Sequence, residues 1–435
     1  MLTHNKSKTA LSNRHTRACG ILCLIISILL LVRDAYSVEI NKFVFVAFSL
    51  VCVCLLKSDQ MIYLLCFVVP LYVGLPGNYM TIVFLVRLLV DYKKAKISPY
   101  SLFFAILIAF YIFAQNIATG YTDIQSMIYI PSVFMICFFL SERTDLDRSK
   151  IIFYFSMGVA TLGVIMLVST LQVFEFKDLL SSSYRLGDNS TDYADPNTVH
   201  LIMDPNFYGM FAISAISMGI ATAREKWISV QMRIGILVSV CICAFIGLLG
   251  LSRGFAIVLV VWVLVYLLTQ RNFKSFLFTT IGIAVIAVAI FNYFPDIVEV
   301  LVDRFTEEDL TTGNGRVDLI ESFSMLWSKN VFTIFFGVGL FACNVHCMPL
   351  QFLFGGGCLM ALLVFLFLCS MTSSTCKIKW VGVLPVFAVL IMSLAIPAAG
   401  SLNGLFPLIV AGMNSKIINR ESDVEHGTLR RYHSS

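Results

Sequence analysis

Fourteen apolar runs follow one another along this chain, and they constrain its fold more than any other feature. About 20 apolar residues cross a bilayer as an α-helix, because a helix satisfies its backbone polar groups internally. With 58% hydrophobic and 13% charged residues, the chain is predicted to be an integral membrane protein. The runs lie at 18–32, 40–56, 60–75, 77–90, 100–118, 124–140, 150–171, 204–223, 234–251, 254–269, 275–294, 350–370, 380–396 and 401–413.

The fold class predicted from these runs is an all-α polytopic membrane protein with about 12 transmembrane helices, and at most about 14. Four runs are short for a hydrocarbon core of about 30 Å and can be tilted, re-entrant or half-spans. These four are 18–32, 60–75, 77–90 and 401–413. The expected domains are a cytoplasmic tail at 1–17, one membrane domain at 18–413, and a polar cytoplasmic tail at 414–435.

The distribution of basic residues predicts the orientation of these helices. If the runs alternate from a cytoplasmic N-terminus, 22 of the 31 Lys and Arg residues lie on the cytoplasmic side and 8 on the opposite side. An excess of Lys and Arg in the cytoplasmic loops is the usual bias in membrane proteins. Both long connectors, 172–203 and 295–349, are therefore expected on the external side.

The connector 295–349 is neither a span nor a short linker, and it contains Arg316 directly after Gly-Asn-Gly. Beyond it, Val317, Ile320, Phe323 and Trp327 recur at helical spacing, so an amphipathic helix is predicted over 315–328. Arg316 would stand at the N-terminus of this helix, where free backbone N–H groups attract anions such as phosphate. The alternative is a solvated surface arginine.

Arg253 is the second candidate, in the sequence Leu-Ser-Arg-Gly between two apolar runs with almost no spacer. A cation so close to hydrocarbon is costly unless it pairs with another group, so a functional role is the first hypothesis. The flanking Ser252 and Gly254 allow a polar ligand to approach closely. The alternative is an arginine whose guanidinium snorkels to lipid headgroups.

His346 is the third candidate, seven residues beyond Gly339 of a Gly-Val-Gly turn that begins at Gly337. With an unperturbed pKa near 6.5, an imidazole can take a proton from a sugar hydroxyl. A purely structural histidine is the alternative, and a disulfide or metal role for the flanking Cys343 and Cys347 is a minor one. Other carboxylates and one histidine compete as bases: Asp303, Asp318, Glu321, Asp192 and His200.

Asp-Pro-Asn occurs twice, once within the connector 172–203 and once directly after it. The second copy, Asp204 to Asn206, opens the apolar run at 204–223. Asp and Asn favour helix starts, so this copy predicts the external end of the helix at 204–223. A capped helix end and a contact to substrate are both open interpretations.

Taken together, these motifs make residues 185–360 resemble the Wzy/WaaL superfamily of bacterial O-antigen polymerases and ligases. The resemblance rests on Asp-Pro-Asn opening a helix, Leu-Ser-Arg-Gly two spans later, and a long loop with Gly-Arg, Gly-Val-Gly and His. It implies a GT-C-like, metal-independent glycosyltransferase fold. It also implies that Arg253 and Arg316 hold a diphosphate, and that His346 acts as base or orients the acceptor. The substrate-binding residues it implies are Arg185, Asp204, Asn206, Gly337 and Gly339.

The expected function is polymerisation of undecaprenyl-diphosphate-linked oligosaccharide repeat units at the periplasmic face of the bacterial inner membrane. Cys347 follows His346 where the family often has Asn, and the short segment from Gly339 to His346 favours a polymerase over a ligase. The alternatives are an O-antigen ligase and, from another class, a polysaccharide flippase. We expect no cofactor, no metal and no nucleic acid. The expected partners are lipid-linked glycans, membrane lipids, a flippase and a chain-length-determining co-polymerase.

Overall fold

The computed structural model consists of helices and connecting segments throughout the part of the chain that it describes. Arg316 is described by its backbone only, while Arg185, Asp192 and His200 lie outside the described residues. The described residues are 2–36, 38–91, 99–120, 124–141, 143, 146–172, 174–180, 186, 204–225, 228–268, 272–293, 295–306, 316–340, 342–343, 345–372, 380–394, 396, 402, 404–414 and 417.

Each apolar run of the sequence is helical where it is described. In the first half of the chain, a short 3-10 segment, Val69–Gly74, extends the third helix. The helices of this half are α1 (Leu2–Ala35), α2 (Lys42–Leu55), α3 (Ser58–Val68), α4 (Gly77–Val90), α5 (Pro99–Ala118), α6 (Ile124–Ser141), α7 (Arg148–Thr170), α8 (Phe176–Leu180) and α9 (Pro205–Ala223).

In the second half, a π-helical turn, Gln351–Gly355, leads into the seventeenth helix. The helices of this half are α10 (Val230–Leu249), α11 (Arg253–Leu268), α12 (Phe273–Tyr293), α13 (Pro295–Thr306), α14 (Arg316–Ser328), α15 (Val331–Phe336), α16 (Met348–Leu350), α17 (Gly356–Thr372), α18 (Trp380–Ser393) and α19 (Gly404–Asn414).

Five described helices are long and apolar enough to cross a membrane: Arg148–Thr170, Pro205–Ala223, Val230–Leu249, Phe276–Tyr293 and Met348–Phe367. Seven other apolar helices are shorter. This supports the predicted class, an α-helical membrane protein. The all-helical part of the prediction is thereby confirmed for the described residues, while the number of spans stays a prediction.

The centre of the bundle is formed by α7, α9 and α10, against which α3 and α18 pack. Most of the apolar stretch of α9 is buried inside the protein, whereas none of the apolar stretch of α12 is buried. Gly158 of α7 lies so close to α3 that a Cβ at this position would overlap the carbonyl oxygen of Phe67. The apolar side chains of α12 instead face outwards, as lipid-facing side chains do.

Salt bridges collect at one end of this bundle, which we call the charged end. Arg143, after α6, pairs with Asp59 of α3 at 2.6 Å, and Arg148, which begins α7, pairs with Glu225 after α9 at 2.7 Å. Arg233 of α10 donates to the carbonyl oxygen of Glu225 at 3.0 Å. Three helix junctions that are far apart in sequence therefore meet at this end.

The opposite end of the bundle, the far end, contains the start of α9 and the end of α10. The 19 residues of α9 span about 28 Å at 1.5 Å per residue, so Asp204 and Glu225 lie at opposite ends. Because α6 finishes beside Arg143 at the charged end, its start and the adjoining end of α5 also lie at the far end.

The polar segments contain more helix than the sequence predicts. Residues 2–17, expected to be a tail, continue into α1 as one helix. The connector 295–349 carries α13, α14 and α15, of which only α14 is predicted, over 315–328; its observed bounds, Arg316–Ser328, confirm that prediction. Helix α13 has a clear helical period of apolar residues that the prediction overlooked, whereas α15, with six residues, is too short to show one.

Candidate functional site

Asp-Pro-Asn and Leu-Ser-Arg-Gly, about 46 residues apart in sequence, are in direct contact at the far end. Asp204 is the N-cap of α9, and its Oδ1 accepts a hydrogen bond of 2.7 Å from the backbone N–H of Asn206. The Ser252 hydroxyl donates to Oδ1 of Asn206 at 2.7 Å. We call this contact region, formed by Asp204, Asn206 and residues 251–253, the α9–α11 junction.

Ser252 also fixes the first turn of α11. Its Oγ accepts a hydrogen bond of 3.2 Å from the backbone N–H of Phe255, the bond of an N-cap serine. The Phe255 ring is buried and lies between two glycines: a Cβ on Gly247 of α10 would come within 2.6 Å of it, and one on Gly209 of α9 within 3.0 Å of its Cβ. Helix α11 is thus anchored to two neighbouring helices within its first turn.

The turn before α11 is conformationally strained. Leu251 has a φ of 47°, in the left-handed region that costs a residue with a Cβ about 1 kcal/mol or more. Its side chain is buried, and the neighbouring Leu249 carbonyl accepts a hydrogen bond of 3.2 Å from the backbone N–H of Leu186. Strain of this kind persists only where surrounding contacts enforce it, and it concentrates at functional sites.

Arg253 is the first residue of α11 and is half-buried. Among the described residues, no carboxylate lies within ion-pairing distance of its guanidinium. The backbone N–H groups of Arg253 and Gly254 belong to the first turn, where a helix has no internal acceptor for them. A half-buried cation beside such N–H groups suits an anion with several oxygens.

Arg316 occupies the equivalent place in α14, as its first residue. The predicted apolar side chains Ile320, Phe323 and Trp327 pack on a small cluster that is separate from the main core. Val317, in contrast, is 49% exposed and lies outside the cluster. Both arginines therefore begin a helix, which is the position where a bound anion would meet backbone N–H groups.

His346 lies directly beside the small cluster that α14 covers. Its two neighbours, Val345 and Cys347, are buried members of that cluster together with Cys343 and Phe354. The Trp327 ring of α14 packs on the ring of Phe354 with centroids 5.6 Å apart. His346 itself is half-buried and has contacts of its own. The helix of Arg316 and the turn of His346 are thus one packed unit.

Gly337 and Gly339 have a structural task that the sequence does not reveal. Val338 and Gly339 donate backbone hydrogen bonds of 2.9 Å to the carbonyls of Phe354 and Gly355. Gly337, at φ 76°, approaches so closely that a Cβ would overlap the Gly355 carbonyl. We call this contact of residues 337–339 with 355–357 the glycine clasp. The predicted role of both glycines in substrate binding stays a prediction.

Two side chains of α5 that the sequence does not single out tie the glycine clasp to the bundle. The Gln115 Nε2 donates to the carbonyls of Phe336 and Gly355, and the Tyr111 hydroxyl donates to the carbonyl of Gly356 at 2.6 Å. They lie inside an apolar run, where a lone Gln or Tyr resembles any polar residue of a span. The position of both residues in the half of α5 nearest the far end is the only signal that could have indicated this role.

Asn116, next to Gln115, is a second polar residue that sequence reasoning missed. It is 2% exposed, and its Nδ2 has no hydrogen-bond partner within the described part of the chain. A buried amide donor normally has a partner, so a water molecule or a ligand oxygen would complete it.

The cysteines beside His346 do not form a reactive pair. Both Cys343 and Cys347 are free thiols. Burial raises the pKa of Cys343 to about 11 and also raises the pKa of Cys347. Both thiols are therefore protonated at neutral pH, and a protonated thiol is a poor nucleophile and metal ligand. Among the described residues, no group of three His, Cys, Asp or Glu side chains could hold a metal ion.

The predicted site residues thus fall into two groups at the same end of the bundle. The α9–α11 junction contains Asp204, Asn206 and Arg253, and Leu186 also contacts it, while Arg185 lies outside the described residues. The second group contains Gly337, Gly339, His346 and the start of α14. The carboxylates of Asp318 and Glu321 are exposed on α14, and that of Asp303 is exposed on α13.

What the arrangement offers is a pair of cationic helix starts and an imidazole at one end of a membrane bundle. Compared with known proteins, the chain matches no family model, and no curated protein is significantly similar to it in sequence.

Proposed function

We propose that this protein is a metal-independent membrane glycosyltransferase that polymerises undecaprenyl-diphosphate-linked oligosaccharide repeat units at the periplasmic face of a bacterial inner membrane. The observation that carries the proposal is the environment of Arg253. This arginine is half-buried at the start of α11, lacks a carboxylate partner among the described residues, and lies at the same end of the bundle as the turn of His346. The resemblance of the motifs to O-antigen polymerases supplies the reaction.

The proposed architecture is a GT-C-like bundle of about 12 to 14 spans. In it the charged end faces the cytoplasm, because it carries Arg143, Arg148, Arg224 and Arg233, and basic residues are retained on that side. The far end then faces the periplasm, together with the connectors 172–203 and 295–349. Both chain termini would be cytoplasmic.

In the proposed reaction, an acceptor sugar hydroxyl attacks the anomeric carbon of the donor glycan. The bond from that carbon to the diphosphate oxygen breaks, and its electron pair leaves with undecaprenyl diphosphate. Arg253 and Arg316 would neutralise the charge that develops on the leaving group, which fixed guanidinium groups do well in a poorly hydrated site. His346 would take the hydroxyl proton or orient the acceptor. The resemblance to O-antigen polymerases also implies a substrate-binding role for Arg185.

The test uses purified protein in liposomes that contain lipid-linked repeat units, with the products separated by chain length. Arg316→Lys and Arg253→Lys should each lower the rate of chain extension at least about tenfold, because a lysine point charge cannot reproduce bidentate contacts. His346→Ala should lower the rate of chain extension further than either arginine variant. Arg33→Lys is the matched control, since Arg33 pairs with Asp34 outside the site and should keep full activity.

The products also distinguish the alternatives. A polymerase extends lipid-linked units, a ligase transfers finished polymer to lipid A–core, and a flippase moves units across the bilayer without joining them. Full extension by Arg316→Lys at normal membrane levels would count against the assigned roles. Transport of intact units without any extension would overturn the proposal.

A further inference from the structure

We propose that Asn206 and Ser252 are positioning residues that hold Arg253 where it meets the diphosphate, and that Asn206 does not itself contact the substrate. This inference rests on the proposed function and deepens it. It begins from the 2.7 Å hydrogen bond between the Ser252 hydroxyl and Oδ1 of Asn206. Ser252 uses one of the two hydrogen bonds that this amide oxygen can accept, and the bond fixes the orientation of the Asn206 amide.

Ser252 connects this bond to the arginine. Its oxygen donates to Asn206 and accepts from the N–H of Phe255, so one atom ties α9 to the first turn of α11. Arg253 follows Ser252 directly in that turn. Loss of the Ser252 hydroxyl would therefore remove both the contact of this turn with α9 and its capping bond, and would free the turn that carries the guanidinium to shift.

Two further contacts hold the turn in its observed conformation. The Phe255 ring is held between glycines of α9 and α10, and Leu251 is buried in a left-handed conformation that it would leave if the turn relaxed. The Asn206–Ser252 bond is thus one of the polar contacts that oppose relaxation of a strained turn, and it joins the turn to α9 through two side chains. A loss of fit of about 1 Å at a catalytic group can cost about 100-fold in rate.

The experiment is a double-mutant cycle with binding of undecaprenyl diphosphate to the full chain in nanodiscs as its readout. Asn206→Ala and Ser252→Ala should each weaken binding about tenfold, a typical effect of one lost hydrogen bond on a neighbouring contact. In an Arg253→Ala background, the same changes should have less than about a twofold effect, because no guanidinium remains to be positioned. Ser252→Thr keeps the hydroxyl and should bind normally.

Ser229→Ala is the matched control for folding. Ser229 caps α10 in the same way, through its Oγ and the N–H of Met232 at 3.3 Å, but it lies at the charged end. Ser229→Ala removes an exposed capping bond, so it should lower the melting temperature somewhat less than Ser252→Ala, which removes two bonds of a buried hydroxyl, and it should leave binding unchanged. Binding losses in Ser229→Ala that equal those in Ser252→Ala would mean general destabilisation and would overturn the inference.

The two possible failures give different patterns. If Arg253→Ala binds undecaprenyl diphosphate as tightly as the parent protein, Arg253 does not bind the diphosphate. Both its role in the proposed function and the positioning role are then wrong. If Arg253→Ala binds weakly but Asn206→Ala lowers affinity equally in both backgrounds, only the positioning role is wrong, and Asn206 contacts the ligand independently. In chain-extension assays, positioning predicts that the substitutions lower kcat more than they raise KM.

Discussion

The α9–α11 junction and the glycine clasp both hold a predicted catalytic group at the far end, but they do so with different parts of the chain. At the junction, the contacts run through side chains: Asn206 to Ser252, and Phe255 between two glycines. At the clasp, backbone meets backbone, with Gly337 against Gly355. A side chain can rotate to absorb a change, whereas a packed backbone cannot. The junction should therefore tolerate substitutions that the clasp does not.

The largest expected effect is that of Gly337→Ala. A Cβ at this position would overlap the carbonyl oxygen of Gly355, and the φ of 76° disfavours a residue with a Cβ. Both costs fall on backbone that cannot shift without separating α15 from α17. We expect little or no folded protein, measured as the monodisperse fraction of a fluorescent fusion in size-exclusion chromatography.

Gly120→Ala is the control that separates conformation from crowding. Gly120 has nearly the same φ, 77°, but nothing lies within 4 Å of where its Cβ would be. Only the conformational cost of about 1 kcal/mol applies there, so most of the protein should still fold. Similar yields for the two variants would show that the clasp is not close-packed.

Next in size is the effect of Gln115→Ala, which leaves the clasp glycines intact but removes one of their two ties to α5, because Tyr111 still donates to the Gly356 carbonyl. The Gly355 carbonyl keeps its bond from Gly339, whereas the Phe336 carbonyl loses its side-chain donor. Loss of the hydrogen bond to this part-buried carbonyl costs about 0.5–1.5 kcal/mol, and the cavity left by the side chain adds to it. The melting temperature should fall clearly below that of Gln172→Ala, whose exposed amide bonds only Val168 of its own helix. Equal melting temperatures would contradict the bridging role of Gln115.

The same contrast explains how much could be read from the sequence. Apolar runs predict helices well, because hydropathy and period are local properties. The sequence predicts α14 from Val317, Ile320, Phe323 and Trp327, of which the last three pack on one cluster and Val317 does not. The contact of Asn206 with Ser252 joins residues 46 apart, and the bridge from Gln115 to Gly355 joins residues 240 apart. Such pairs depend on tertiary packing, which one sequence does not display. Gly337 is predicted as the start of a Gly-Val-Gly turn, but its contact with the Gly355 carbonyl depends on the same tertiary packing.

The smallest expected effect belongs to the junction, in Gly247→Ala. The new Cβ would come within 2.6 Å of the tip of the Phe255 ring, which would have to move by about 0.8 Å to reach the ordinary contact distance of 3.4 Å. Overpacking of this kind costs typically about 1–3 kcal/mol, and the movable ring favours the lower end. The melting temperature should drop by a few degrees, far less than the loss expected for Gly337→Ala. Because Phe255 belongs to the first turn of α11, its tilt should also disturb Arg253 and slow chain extension.

Gly282→Ala is the control, because Gly282 lies in α12 with nothing within 4 Å of where its Cβ would be, and it should change neither the melting temperature nor chain extension. A Gly247→Ala protein that fails to fold would mean that the α9–α11 junction is as rigid as the clasp.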